Sequence, residues 1–329
     1  MDPEEFKDRS AGLVVFGIIE IAIGAFCALL IPLALAVALA SRSLQGPAAG
    51  LDVRTMLPSL ALYAVIAVVF VWIGVGSIRA RRWACAVMLS LSWLWLITGA
   101  RAMAALWLLM PRLQDLAGMA ELPGGAMTLA LVATSLLLGF IYVLLPLAFV
   151  LFYRSPDVAA TCRARDPGPS WVDSCPPPIV SLVLIYGLGG ASMLFLPACG
   201  FAFPLFGAVL DGWSGAAAWL VVLALLLYLM VGTARRERRA WTVAMAVSLV
   251  AACSSTVTAT VVPWSAWLDR VAMPGQWPQL GAALGEPAVA VKVLLALAVW
   301  GSWIAYLVRV RRLFRAPDVP TRTAAAQDE

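Results

Sequence analysis

Eight uninterrupted apolar runs, at residues 11–40, 57–78, 83–110, 126–152, 179–210, 215–233, 240–262 and 287–308, constrain this chain more than any other feature. A helix needs about 20 apolar residues to cross the roughly 30 Å hydrocarbon core of a bilayer. Only backbone that satisfies its own polar groups is admitted there. The runs far exceed the ~9–11 alternating residues of a membrane strand, so an all-α integral membrane protein is expected and an outer-membrane barrel is excluded. Composition agrees. At 63% hydrophobic and 12% charged, the chain departs widely from the roughly 45–50% and 25% of soluble domains. The first run follows the acidic Met1-Asp-Pro-Glu-Glu and is about twice as long as a signal peptide's apolar core, so it is read as a retained helix. No lipid-anchor pattern adds to it.

The basic balance, 21 Arg and 2 Lys for a net charge of +5, reports topology. Numbered along the eight runs, 17 of the 23 cations fall on one side: before the first run, between runs two and three, four and five, six and seven, and after the eighth. The positive-inside rule makes that side cytoplasmic. Eight crossings with both termini inside the cell (inner or plasma) membrane are self-consistent. The Arg clusters abut helix ends and suit anionic lipid headgroups, so the bilayer is the expected partner and nucleic acid is not.

The chain also repeats itself. Phe152-Tyr-Arg-Ser-Pro-Asp-Val158 recurs as Leu313-Phe-Arg-Ala-Pro-Asp-Val319, and Gly76-Ser-Ile-Arg-Ala-Arg-Arg-Trp83 as Gly232-Thr-Ala-Arg-Arg-Glu-Arg-Arg-Ala-Trp241. Gly24 and Pro32 match Gly189 and Pro197. The offsets drift only between runs, where insertions are cheap. The expected architecture is eight transmembrane helices as two parallel four-helix repeats, at 1–158 and 179–319, related by an axis along the membrane normal. A Pro-rich cytoplasmic linker, 159–178, joins them as a non-helical segment, and 320–329 is a disordered tail. In the shared R-x-P-D-V ending, Arg complements the helix dipole, Pro stops the helix and Asp starts a turn.

The segment Tyr153-Arg-Ser155, Thr161-Cys162, Arg165-Asp-Pro167 resembles one found in uncharacterised bacterial multi-pass membrane proteins. The resemblance spans residues 153–178 and implies no activity or site. On the outer side, Pro111–Leu122 has Leu113, Leu116, Ala117 and Ala120 at helical spacing opposite Arg112, Asp115, Gly118 and Glu121, which predicts a short interfacial helix. Trp264, Trp267 and Trp277 suit the headgroup region in the second copy.

Ionisable side chains inside spans cost about 2.5–3.5 kcal/mol on insertion scales, so each calls for a hypothesis. Glu20, about 14 Å into the first helix by rise, is expected near the midplane, either as a neutral acid bonded to a neighbouring helix or as a proton- or cation-coupling group. Arg101 and Lys292 lie toward the outer surface and are expected to snorkel as interfacial anchors. The run Cys253-Ser-Ser-Thr-Val-Thr places Ser254, Ser255, Thr256 and Thr258 on one polar stretch, suited to gluing helices or lining a pathway.

Of six cysteines, Cys27, Cys85, Cys199 and Cys253 are read as small core residues. Cys162 and Cys175 fall in a reducing compartment where a disulfide between them is not expected. With no His in the chain, two thiols complete no zinc site. No nucleotide loop, zincin motif, Ser-His triad or paired intramembrane Asp is found, so no enzyme, metal or cofactor is expected. Two functions remain: a secondary transporter or exporter of a small molecule with its site between the repeats, and a non-catalytic scaffold or accessory subunit bound to a membrane-protein partner.

Overall fold

The computed structural model describes residues 7–41, 53–118, 124–168, 175–193, 196–199, 201–263 and 288–314. It is built of helices: α1 (Ser10–Ser41), α2 (Val53–Ile78), α3 (Arg82–Gly118), α4 (Gly124–Gly139), α5 (Leu145–Tyr153), α6 (Pro156–Arg165), α7 (Pro177–Met193), α8 (Gly212–Ala234), α9 (Arg238–Val261) and α10 (Val289–Val310). A π-helical turn, Phe140–Leu144, fuses α4 to α5. Among the described residues, seven helices are long and apolar enough to cross a membrane, not eight.

The exception is the fifth run. Residues 179–210 do not form one helix: α7 ends at Met193, a 3-10 turn follows at Leu196–Cys199, and a hairpin pairs β1 (Phe203–Leu205) with β2 (Ala208–Leu210). Its two-residue turn, Phe206-Gly207, has positive φ at both positions (46° and 84°). That is the arrangement matching the twist of paired strands, and glycine supplies its second position at little cost. A continuous apolar run does not distinguish helix from buried hairpin. At 17 residues, α7 is about 26 Å long.

The linker also differs from expectation. Proline at 156 does stop α5, but it also opens α6, because its missing N–H is not needed at the first helical position. The helix then runs until Asp166-Pro167, where the residue before proline leaves the α region. On the outer side, α3 continues through Pro111 to Gly118 as part of a 37-residue helix, so the amphipathic segment is no separate element within those bounds. Ala120, Trp264, Trp267, Trp277, the second R-x-P-D-V and the tail lie outside the described residues.

Helices α1 and α2 pack backbone against backbone. Gly17 and Gly24 of α1, seven residues apart, face Ala67 and Gly74 of α2, also seven apart. A Cβ on Gly17 would lie 2.8 Å from the Gly74 oxygen, and one on Gly24 2.9 Å from the Ala67 oxygen. Small residues let backbones meet where lipid supplies no hydrophobic drive between helices. Beside this pair Phe16 stacks on Phe152 with centroids 4.0 Å apart. The core continues through Leu13, Ile73, Met88 and Phe149, all unexposed.

At one end the turns after α2 and α8 share one backbone. Arg79, Ala80 and Arg81 N–H groups bond the Val75, Ser77 and Gly76 carbonyls; Arg235, Arg236 and Glu237 do the same with Val231, Thr233 and Gly232. Ala80 and Arg236 both have positive φ (51° and 58°). Beneath each turn a glycine admits an alanine of the next helix: a Cβ on Gly76 would lie 2.6 Å from the Ala84 Cβ, and one on Gly232 2.7 Å from the Ala240 Cβ. The offset of 156 thus runs unbroken through the turn.

Helix α6 clasps the same end of the first four spans. Arg9 N–H donates to Thr161 Oγ1 (3.1 Å), and the Arg9 guanidinium pairs with Asp157 (3.4 Å). Asp166 pairs with Arg81 (2.9 Å) and accepts the Arg82 N–H (3.2 Å), capping the first turn of α3 from another segment. Cys162 meets Cys85 of α3 sulfur to sulfur, their Cα atoms 7.3 Å apart. Cys85 is therefore not merely a core hydrophobe: it begins α3 at the level of the clasp, and its partner comes from a segment 77 residues away. Ahead of α1, Asp8 accepts the Ser10 N–H (2.9 Å), which holds its carboxyl below the usual range.

Gly74→Ala would drive a Cβ to 2.7 Å from the Gly17 oxygen, and backbone cannot step aside as a flexible side chain can. Thermal unfolding of the purified protein in detergent is expected to show a loss of about 1–3 kcal/mol. Gly301→Ala, where a Cβ would meet nothing within 4 Å, is expected to stay within about 0.5 kcal/mol of wild type.

Candidate intramembrane polar site

Residues Leu13, Gly17, Glu20, Gly24 and Cys27 are the buried stripe of α1's first half, spaced four, three, four and three apart. A carboxyl on that stripe faces protein, not lipid. Glu20 is 0% exposed. Its Oε1 accepts a hydrogen bond from the Tyr153 hydroxyl at 2.7 Å, and the same phenol oxygen lies 2.9 Å from Ser77 Oγ. A phenol has one proton, so with it committed to Glu20 the Ser77 hydroxyl donates to Tyr153. Glu20 Oε2 has no hydrogen-bond partner.

These partners place Glu20 near the ends of α2 and α5. Ser77 is one residue from the end of α2 and Tyr153 is the last of α5, while Gly17 already lies against Gly74 and Ile78. The first residues of α1 project past its neighbours to meet α6. Glu20 lies about one turn inside the end of α2. In the second half the buried counterpart is Tyr186, 5% exposed, its hydroxyl also without a partner and its ring edge-on to Trp303 at 6.3 Å. At the offset that pairs Gly24 with Gly189, Glu20 falls on Ile185, which is half-buried.

The polar stretch of α9 is nowhere near Glu20. Ser254 Oγ accepts the Phe206 N–H (2.9 Å) and Thr258 Oγ1 the Gly207 N–H (3.0 Å), so this pair caps the hairpin tip. Ser255 accepts the Trp300 indole N–H (2.6 Å), and Thr256 donates to the Ala252 carbonyl of its own helix (2.7 Å). Two turns back from Ser255, Ser248 accepts the Trp303 indole N–H (2.9 Å). Helices α9 and α10 are thus joined by indole-to-hydroxyl bonds. Tyr153, Ser77 and these tryptophans were not singled out from sequence as partners. Their signal was present in the Glu20 stripe and in tryptophans whose N–H needs an acceptor when buried.

The Arg101 guanidinium donates to Ser302 Oγ at 2.9 Å, crossing from α3 to α10, and both side chains are exposed. Lys292 lies in the first turn of α10, half-buried. The structure brings together none of Glu20, the Ser254–Thr258 group, Arg101 and Lys292 in one pocket. A groove of about 610 Å³ lies between α3 and α4 and is lined by apolar side chains such as Met103, Trp107 and Leu136. Among the described residues no three His, Cys, Asp or Glu side chains are grouped to hold a metal. The chain matches no known family model, no characterised protein and no solved structure.

Tyr153→Phe removes the donor to Glu20 and the link to Ser77, leaving buried polar atoms unpaired. A loss of about 1–3 kcal/mol in detergent unfolding is expected. Ser254→Ala should speed amide exchange at Phe206 while leaving amides in α1 unchanged; equal protection in the variant would show that the hairpin tip does not depend on that bond.

Proposed function

We propose that this chain is a non-catalytic membrane scaffold or accessory subunit of a membrane complex, made of two parallel four-helix units with both termini on the cytoplasmic side of the cell membrane. One observation carries the choice of scaffold over carrier. The side chains a carrier would use are bonded at separate helix junctions: Glu20 to Tyr153, Ser254 and Thr258 to the hairpin, Ser255 to Trp300.

The two-unit architecture draws support from the matched turns after α2 and α8. It requires α7 as the eighth crossing. At about 26 Å it falls short of the roughly 30 Å core, a mismatch that local thinning or flanking residues accommodate. Helices α5, α8 and α10 carry Arg at the C-cap, as Arg154, Arg235 and Arg311, and Arg79 follows α2 directly. Four helices ending in a cation at one face suit the helix dipole and an anionic leaflet together.

The carrier reading, with a small-molecule substrate, keeps one observation in its favour: Glu20 Oε2 is buried and without a hydrogen-bond partner. The two readings part in proteoliposomes containing a pH-sensitive dye. The scaffold reading expects no protein-dependent proton flux from wild type or Glu20→Gln. Proton flux in wild type that disappears in Glu20→Gln, with the variant still folded, would overturn it.

A further inference from the structure

Cys85 and Cys162 are 77 residues apart in the chain, yet the fold brings their sulfurs together, and both side chains are buried, at 8% and 2% exposed. Cys85 stands in the first turn of α3, its N–H donating to the Arg81 carbonyl (3.2 Å). Cys162 begins the last turn of α6. On one side of it Thr161 accepts the Arg9 N–H, and on the other Asp166 accepts the Arg82 N–H. The two thiols therefore lie at the centre of the clasp that joins α6 to α1 and α3.

The ties around them are individually weak. Arg9 with Asp157 (3.4 Å) and Arg165 with Asp8 (3.3 Å) are ion pairs open to solvent, and pairs of that kind contribute little to stability. A bond between the two sulfurs would outweigh them. It also demands movement: disulfide-bonded cysteines have Cα atoms about 4.4–6.8 Å apart, and here the separation is 7.3 Å. Closing the bond draws α6 toward α3, and opening it returns α6 to its ion pairs.

We infer that Cys85 and Cys162 are a reversible redox site: a low-molecular-weight disulfide of the glutathione class oxidises them to an intramolecular disulfide that locks α6 onto α3, and free thiols release it. Local opening of the ten-residue α6 uncovers both thiols. Cys85 attacks first, being the more exposed of the two and standing at the helix end that favours negative charge. Its thiolate displaces one thiolate from the oxidant and forms a mixed disulfide. Cys162, its proton passed to water, then attacks the Cys85 sulfur and expels the second. Two protein thiols become one disulfide, the oxidant disulfide becomes two thiols, and both protons end on them. The site operates in the same way whether the chain is a scaffold or a carrier.

The test equilibrates the purified full-length protein in detergent with reduced or oxidised glutathione, and reads peptide mass mapping and amide exchange on the same samples. Oxidised glutathione should join the Cys85 and Cys162 peptides, and dithiothreitol should part them. Amides of α6 should exchange about a hundredfold more slowly in the oxidised protein, together with the Arg9 amide that bonds Thr161. Cys85→Ser and Cys162→Ala should exchange at the reduced rate in both buffers. The comparison of oxidised with reduced wild type needs neither variant, so it decides the matter even where a variant fails to fold. No link between Cys85 and Cys162 at any glutathione ratio, a link from Cys162 to the free Cys175 in its place, a link that dithiothreitol does not reverse, or α6 exchange indifferent to the link would each overturn the proposal.

Discussion

Within a bilayer, helices gain little by hiding apolar side chains from one another, since the surrounding lipid is equally apolar. What holds them is close backbone approach and the cost of an unbonded polar group. The first half of this chain depends on both at one place. Gly17, Gly24, Ala67 and Gly74 let α1 and α2 touch along their backbones, and the same α1 stripe carries Glu20 into a junction where Tyr153 and Ser77 meet it. Remove the glycines and the carboxyl loses its enclosure; remove the phenol and the glycine seam encloses an unpaired acid. The seam and the carboxyl are therefore one structural unit.

The second half solves the same problem with different groups. Gly189 corresponds to Gly24 in sequence, yet a Cβ there would meet Leu226 at an ordinary 3.7 Å, so α7 and α8 are not locked by backbone contact at that point. Indole N–H groups take over, from Trp300 and Trp303 to serines of α9, and from Trp219 to the Met193 carbonyl at the end of α7. The matched prolines diverge as well: Pro32 lies inside α1, whereas Pro197 sits in a 3-10 turn past the end of α7. In the first half the chain continues as helix; in the second it folds back as a hairpin whose tip is bonded by α9.

Much of this was legible in the chain, for identifiable reasons. Long apolar runs, interrupted by arginines, mark most helix ends because hydrocarbon thickness and headgroup charge leave few alternatives. The fifth run misleads because hydrophobicity carries no direction: Phe203–Leu210 is as apolar as a helix and gives itself away only by Phe-Gly at a two-residue turn. Prolines in the linker mislead in the opposite sense, since Pro156 terminates one helix and is well placed to begin another. Burial of Glu20 could have been read from its spacing to Gly17 and Gly24. Its pairing with Tyr153 could not, because 133 residues separate them and no local pattern spans that distance. The bond from Arg101 to Ser302 was hidden for a related reason, since 201 residues separate them.

The segment that resembles other multi-pass membrane proteins has a structural explanation independent of any shared activity. Tyr153 meets Glu20, Ser155 begins α6, Thr161 accepts the Arg9 N–H, and Cys162 joins Cys85. Arg165 pairs with Asp8, and Asp166 caps α3. Between them, Thr161 and Arg165 tie α6 to the start of α1, and Cys162 and Asp166 tie it to α3, while Ser155 joins it to α5, so together they fix where these helices stand relative to one another. A Pro-rich loop with no such contacts would leave α1 free to slide along its glycine seam, and with it the depth of the buried carboxyl. The clasp therefore acts on the membrane interior from outside it: by fixing the height of α1, it keeps Glu20 level with Ser77 and Tyr153.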